Sequence, residues 1–244
     1  MPGLFSSLEH RVRTREWMDE PNADPEELHK SLAFIRRTNT LLGYTRSTLH
    51  HLNRFTRTWP AGTPIRILDV ATGSGDVPRA ILRWASKRKL SVQVTGIDLH
   101  SKTIHEATAA SDPHLHFVQG DALNLPFADG SFDYAITSLF LHHLDENQIV
   151  TVLSEMNRVS RRGIIAGDLI RTKRAYFWIT VFSLFSTPMV RHDGRASVAQ
   201  ALTRPEILAL RDRAGVDYAS YHKHFAHRFV LAGQKPGIGT DSVV

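Results

Sequence analysis

Ile65-Arg66-Ile67-Leu68-Asp69-Val70-Ala71-Thr72-Gly73-Ser74-Gly75-Asp76-Val77 is the stretch from which the rest of the chain takes its meaning. Ile65, Ile67, Leu68 and Val70 form a short apolar run, β-branched at all but one position, which suits a buried central strand. The run ends in Thr72-Gly73-Ser74-Gly75, and Val77, Ile81, Leu82 and Ala85 then recur at helical spacing. A strand, a tight glycine turn and a helix in that order make a ligand site. Glycine lets the backbone approach a ligand closely, and the helix N-terminus offers free N–H groups.

The same alternation continues downstream. Val92 to Asp98 reads as a second strand ending in a carboxylate, and Ser101 to Ala110 as a helix. Leu115 to Val118 is a third strand, followed by Gly120-Asp121-Ala122, and Phe132 to Ser138 a fourth. Asp145 opens a helix with Ile149, Val152, Leu153 and Met156 on one face, and Gly163 to Asp168 is a fifth strand. Tyr218 to His224 and Arg228 to Ala232 are two final strands, with a hairpin around Phe225-Ala226. Strands alternating with helices imply an α/β fold: a Rossmann-like, mostly parallel sheet of seven strands.

Two regions depart from the rhythm. Before the first strand lie about sixty residues of expected helix. Residues 1–20 read as loose or weakly helical. Asp24 caps a helix with Pro25 and Glu27 in its first turn and Leu28, Leu32, Ile35 and Leu42 inside, which Gly43 stops. A second helix covers Arg46 to Thr58. This N-terminal helical extension, residues 1–60, is either a packing element or a lid. The main domain spans residues 61–235 and residues 236–244 form a tail. Within the domain, about 170–202 is an insertion holding the apolar stretch Ala175 to Val190 and then Arg191-His192-Asp193-Gly194-Arg195, read as a turn at Gly194. Thr203 and Glu206 form a capping box for the helix after it.

Composition narrows the class. Of the 244 residues 42% are hydrophobic and 22% charged, as in ordinary globular domains. The net charge of +6 comes without a run of Lys and Arg interleaved with aromatics, so no nucleic-acid partner is expected. The absence of cysteine excludes disulfides and thiolate chemistry and agrees with a cytoplasmic setting. No signal peptide is read at the N-terminus, and Ala175 to Val190 is too short to span a bilayer. No His, Asp or Glu cluster has metal spacing on one element, so no metal is expected.

The ligand follows from what the glycine turn lacks. A dinucleotide fingerprint wants Gly-x-Gly-x-x-Gly, but the third glycine is replaced by Pro78, and the Lys-Ser/Thr of a P-loop is absent. Asp69, four residues before Gly73, suits an ammonium group and not a pyrophosphate. Asp98 can accept from two ribose hydroxyls, and Asp121-Ala122 stands where an adenine amino group meets a carboxylate. An adenosine with a cationic amine and no pyrophosphate describes S-adenosylmethionine.

Leu68 to Asp76, Gly96-Ile97-Asp98, Gly120 to Phe127 and Asp129-Gly130-Ser131-Phe132-Asp133 together resemble the class I S-adenosylmethionine-dependent methyltransferases. The likeness is strongest to the small-molecule branch that includes the ubiquinone and menaquinone biosynthesis methyltransferases, and it covers roughly residues 65–170. Ala71 stands where the family often has Gly. The resemblance implies that Asp69, Ala71, Gly73 and Gly75 hold the methionine end of the cofactor, Asp98 with Leu99 the ribose, and Asp121 with Ala122 the adenine. Ser138 and Leu139 should line the site.

Methyl transfer needs an in-line acceptor and, for a phenol, a base. Among 14 histidines, His142 in Leu141-His142-His143-Leu144 follows the fourth strand, and His192 with Asp193 lies in the insertion expected to cover the acceptor. Tyr176, Phe177, Trp178, Phe182 and Phe185, flanked by Arg171, Lys173, Arg174 and Arg191, read either as a buried helix or as a pocket for a lipophilic acceptor or a surface in peripheral contact with a membrane. The expected reaction is O-methylation of a small aromatic or polyketide-type molecule. The alternatives are C-methylation of a prenylated quinone precursor and a non-catalytic S-adenosylmethionine-binding partner in a complex.

Overall fold

The structure is a computed structural model that describes residues 8–20, 24, 26–27, 30–31, 34, 43–59, 62, 64–108 and 112–238. Its centre is β1 (Ile65–Val70), whose alternation decides both faces of the sheet. Ile65 and Ile67 point into one apolar cluster and Leu68 and Val70 into the other, all essentially sealed from solvent. The remaining strands are β2 (Val92–Asp98), β3 (Leu115–Gln119), β4 (Phe132–Ser138), β5 (Ser160–Leu169), β6 (Ser220–His224) and β7 (Arg228–Gln234). They lie in the order β3-β2-β1-β4-β5-β7-β6. The pairs from β3 through to β5 are parallel, and β7 runs antiparallel to both β5 and β6. The expected seven-stranded, mostly parallel sheet is present. Its strand order reverses between β1 and β4, where ligands bind outside the carboxyl ends of parallel strands.

The helices are α1 (Tyr44–Phe55), α2 (Asp76–Lys87), α3 (Ser101–Thr108), α4 (Glu146–Val159), α5 (Lys173–Phe182), α6 (Pro188–Gln200) and α7 (Arg204–Arg213). On one face α4 supplies Ile149, Val152, Leu153 and Met156, and α7 supplies Ile207 and Leu210. On the other, α2 supplies Val77, Ile81 and Trp84, and α1 supplies Tyr44, Leu52 and Phe55. Caps define the ends. Asp145 and Gln148 form a reciprocal capping box on α4, and the Glu206 carboxylate accepts the Thr203 N–H at 2.7 Å at the start of α7.

Several sequence expectations change. Gly43, read as a helix stop, is the N-cap of α1, in the left-handed region at φ 72°, and the residues before it lie outside the described ones. Leu28, Leu32, Ile35 and Leu42 lie outside the described residues, but Glu26, Glu27, Lys30, Ser31 and Phe34 of the same expected helix are helical, and Asp24 accepts the Glu27 N–H at 2.7 Å as its cap should. Residues 8–20 are not loose. They form a strap, with a 3-10 turn at Trp17–Asp19, laid across α6 and the loop after β4. The segment 170–202 is two helices, and Gly194 lies inside α6, not in a turn. A Cβ on Gly194 would stand 2.8 Å from Ile179 Cγ1, so the glycine lets α5 and α6 cross closely.

α1 is built into the core: Phe55 is buried and stacks on Tyr134 at 5.3 Å between ring centroids. Phe55→Ala should therefore cost about 3 kcal/mol or more in unfolding free energy, measured by urea denaturation. A change in ligand affinity with no change in the unfolding midpoint would instead make α1 a detachable lid.

Candidate functional site

The turn after β1 is tight because three of its residues, Ala71 (φ 57°), Gly73 (54°) and Gly75 (77°), take left-handed backbone angles. Only Ala71 bears the Cβ penalty of that region. Gly75 is demanded twice over, since a Cβ there would stand 2.6 Å from the Phe117 ring. The Thr72 N–H donates to Ile97 O at 3.0 Å, and the Gly73 N–H donates to Asp98 Oδ2 at 2.9 Å. The turn is thus stitched to the end of β2. Gly120 N–H donates to Asp98 O at 2.9 Å, which brings the end of β3 alongside.

Asp69 is buried at the end of β1, and Thr72 Oγ1 donates to its Oδ2 at 2.7 Å. Burial pushes its carboxyl up to about 7, and the nearby Asp98 adds to the shift, while the threonine bond opposes it. A carboxylate in this state gains from a cation. Tyr44, at the start of α1, is buried beside it, with Arg228 over its ring at 5.2 Å. Burial and the charge of Asp69 raise the Tyr44 phenol well above its ordinary range. Tyr44 Oη and Ser138 Oγ are buried with no hydrogen-bond partner among the described residues. Such atoms cost free energy until something meets them. A buried carboxylate suited to a cation, a half-buried Asp98 and two orphaned hydroxyls are a donor set that fits S-adenosylmethionine.

The other predicted residues fall less centrally. Asp121 is exposed and accepts the Leu123 N–H at 2.9 Å, with half-buried Ala122 next to it. Leu99 is 58% exposed, and its carbonyl accepts from Gln119 Nε2 at 3.1 Å.

His142 and His192 do not meet each other; each is paired with an aspartate and each touches the strap. His142 is buried in a 3-10 turn, with Nδ1 2.7 Å from Asp168 Oδ1 and its backbone N–H donating to Asp168 Oδ2 at 2.9 Å. Burial works against the charged imidazole, but the Asp168 carboxylate outweighs it and raises His142 above its ordinary value. The far side of that ring faces Glu16 of the strap, 3.9 Å from Nε2. His192 lies 2.9 Å through Nδ1 from Oδ1 of the buried Asp193, and Trp17 stacks on its ring at 4.2 Å. Asp193 also accepts the backbone N–H groups of Trp17 at 2.8 Å and Met18 at 3.0 Å. Its carboxylate therefore anchors the strap as well as the imidazole.

Sequence reasoning gave no role to Glu16, Tyr44, Asp168 or Arg228. Asp168 ends a parallel strand, the same signal that singled out Asp98, and was legible on that ground. Glu16 and Tyr44 carried no local signal, because their neighbours lie far away in sequence. Arg171 is not the free cation expected beside the aromatic stretch. It is buried, donating to Ala201 O at 2.6 Å and to Glu206 Oε1 at 2.5 Å.

Comparison with known proteins agrees with this geometry. Residues 67–163 match the family model described as a methyltransferase domain. The demethylmenaquinone methyltransferase of Porphyromonas gingivalis is 40% identical over 155 residues, covering 60% of this chain and 61% of its own. That of Thermotoga maritima is 36% identical over 99 residues, 41% of this chain and 40% of its own. The chain thus spans less than two thirds of the length of either relative. A solved S-adenosylmethionine-dependent methyltransferase from Methanosarcina mazei superimposes with a TM-score of 0.51 at 25% identity, over 70% of this chain and 92% of that one. With the strand order, the glycine turn and the acid at the end of β2, these likenesses give the chain a methyltransferase domain over residues 67–163 that resembles the class I S-adenosylmethionine-dependent methyltransferases.

Proposed function

We propose that this protein transfers a methyl group from S-adenosylmethionine to an oxygen of a lipophilic aromatic or polyketide-type small molecule, with His192 as the base. The observation that supports the reading most is the His192–Asp193 pair. Asp193 engages Nδ1, which leaves Nε2 as the basic nitrogen, and the imidazole is 27% exposed where His142 is sealed. A phenol titrates near 10, so a base that removes its proton during attack raises the rate. The sulfonium cofactor supplies an electrophilic methyl group. The chain's task is to hold both partners in line and keep water out. In this reading Asp69, Ala71, Gly73 and Gly75 bind the methionine end. Asp98 and Leu99 take the ribose, and Asp121 and Ala122 the adenine. Ser138 borders the reacting centre, and the strap covers the acceptor.

A second reading is C-methylation of a prenylated quinone precursor. It draws on the 40% identity to a demethylmenaquinone methyltransferase, which covers 60% of this chain. Turnover with candidate acceptors, followed by NMR location of the new methyl group, separates the two.

Asp69 gives a pH test. Its carboxyl is raised, so below about 7 it holds a proton that a cationic ligand must displace. Affinity for S-adenosylhomocysteine should rise as pH climbs to about 7 and level off above it, approaching tenfold per unit on the acid side. Asp69→Asn should bind more weakly and lose that slope in calorimetry. His192→Ala should lower turnover at neutral pH by about a hundredfold or more while leaving S-adenosylhomocysteine affinity unchanged. Full turnover in His192→Ala together with loss in His142→Asn would move the base to His142.

No helix among the described residues is long and apolar enough to cross a membrane. Phe177, Trp178, Phe182, Leu184 and Phe185 are nevertheless exposed, on α5 and the turn after it, beside exposed Lys173 and Arg174. We read this as a surface that rests on anionic bilayers to collect a lipophilic acceptor. The protein should co-float with vesicles containing anionic lipid, and Phe182→Ser/Phe185→Ser should abolish that. Equal recovery of both proteins would remove the membrane from the proposal.

A further inference from the structure

The strap and the turn after β4 bring together three metal-ligating side chains from distant parts of the sequence. Ligand atoms of Glu16, His142 and His143 lie within 4.8 Å of one another, with Glu16 Oε1 3.9 Å from His142 Nε2. Glu16 and His142 are buried and His143 is half-buried. We propose that these three residues bind one divalent first-row transition cation, zinc being the probe, which pins the strap to the turn after β4. The expectation of no metal counted ligands within one element, whereas this set is shared between two.

The two imidazoles lie together against the habit of their backbone. Leu141–His143 is a 3-10 turn, in which successive side chains ordinarily diverge by about 120°. Here the rings of His142 and His143 lie side by side, 4.1 Å between centroids and 35° between planes. His142 is oriented as a metal-bound histidine usually is. Asp168 Oδ1 stands 2.7 Å from Nδ1, which in the neutral ring leaves the lone pair on Nε2, the nitrogen near Glu16. At 3.9 Å, Nε2 and Glu16 Oε1 are too far apart for a hydrogen bond. Two ligand atoms ~2.0–2.2 Å from a tetrahedral zinc stand ~3.3–3.6 Å apart, so a cation needs this pair to close by about half an ångström.

The carboxylate has its own supporting contacts. Ser197 Oγ donates to Glu16 Oε1 at 2.6 Å, and Gln200 Nε2 lies 3.5 Å from the same oxygen. Ligating carboxylates are commonly steadied in this way. The local charge also suits a cation. Burial opposes positive charge at His142, but the Asp168 and Glu16 carboxylates favour it and outweigh Arg11, whose guanidinium donates to His142 O at 3.0 Å. Two imidazoles with one carboxylate select zinc and its neighbours over magnesium or calcium.

The site is independent of which acceptor atom is methylated. Its test is calorimetric titration of chelator-treated, tag-free protein with Zn2+ near neutral pH, alongside hydrogen–deuterium exchange of residues 9–20 with and without the metal. One-site binding and about tenfold or slower exchange across the strap are expected. Glu16→Gln, which keeps an acceptor for Ser197, and His143→Asn should each weaken binding by about a hundredfold and lose the protection, with S-adenosylhomocysteine affinity unchanged. Should either variant fail to fold, zinc-edge X-ray absorption of the wild-type protein decides, and two imidazole nitrogens with oxygen ligands are expected. No binding overturns the proposal. So does binding that persists in both variants, a strap whose exchange the metal leaves unaltered, or a zinc shell with any other number of imidazoles.

Discussion

A carboxylate sealed at the end of the central strand sets the terms for the whole molecule. Asp69 lies on the face of β1 that also buries Ile65 and Ile67, so its position follows from strand periodicity. The Thr72 hydroxyl donates to it, and burial raises its carboxyl to about 7 in the free protein. Everything around it serves the same edge. The left-handed turn brings Thr72 back to it, Asp98 anchors the turn to β2, and α1 closes the outer side with Tyr44. The stability sacrificed by burying an acid and two unpartnered hydroxyls is the kind that a ligand of opposite character can return.

The two histidine pairs rest on a different principle, in which backbone and side chain are held by the same carboxylate. Asp168 grips both the N–H and the ring of His142, and Asp193 grips both the ring of His192 and the strap's N–H groups. In each pair the aspartate fixes where a histidine sits and which nitrogen is left. The strap lies across both pairs, with Glu16 on one and Trp17 on the other. The surroundings of the two imidazoles are therefore coupled through two adjacent residues.

The sheet and the turn after β1 were legible because their signals are local. Ile65 to Gly75 is a strand, turn and helix written contiguously, and Asp98 and Asp121 follow from counting to strand ends. The final hairpin lies where it was read, around Phe225-Ala226, and left-handed Ala226 and His227 are in its turn. What stayed hidden depends on partners distant in sequence. Arg11 and Arg13 lie in a stretch read as loose or weakly helical, yet their guanidinium groups donate to the carbonyls of His142 and His143, 131 and 130 residues away. Gly194 read as a turn because glycine usually breaks helices. Its helical place follows only from the Ile179 side chain pressing against it.

The strap carries a consequence for the order in which the molecule assembles. Its contacts run to residues 141–143 and 193–200, so docking closes loops of more than a hundred residues. Closure of such a loop is entropically costly and is rewarded only once α6 and the turn after β4 are in place. The sheet and the turn after β1 can thus reach their final form while the histidine pairs are still open to water.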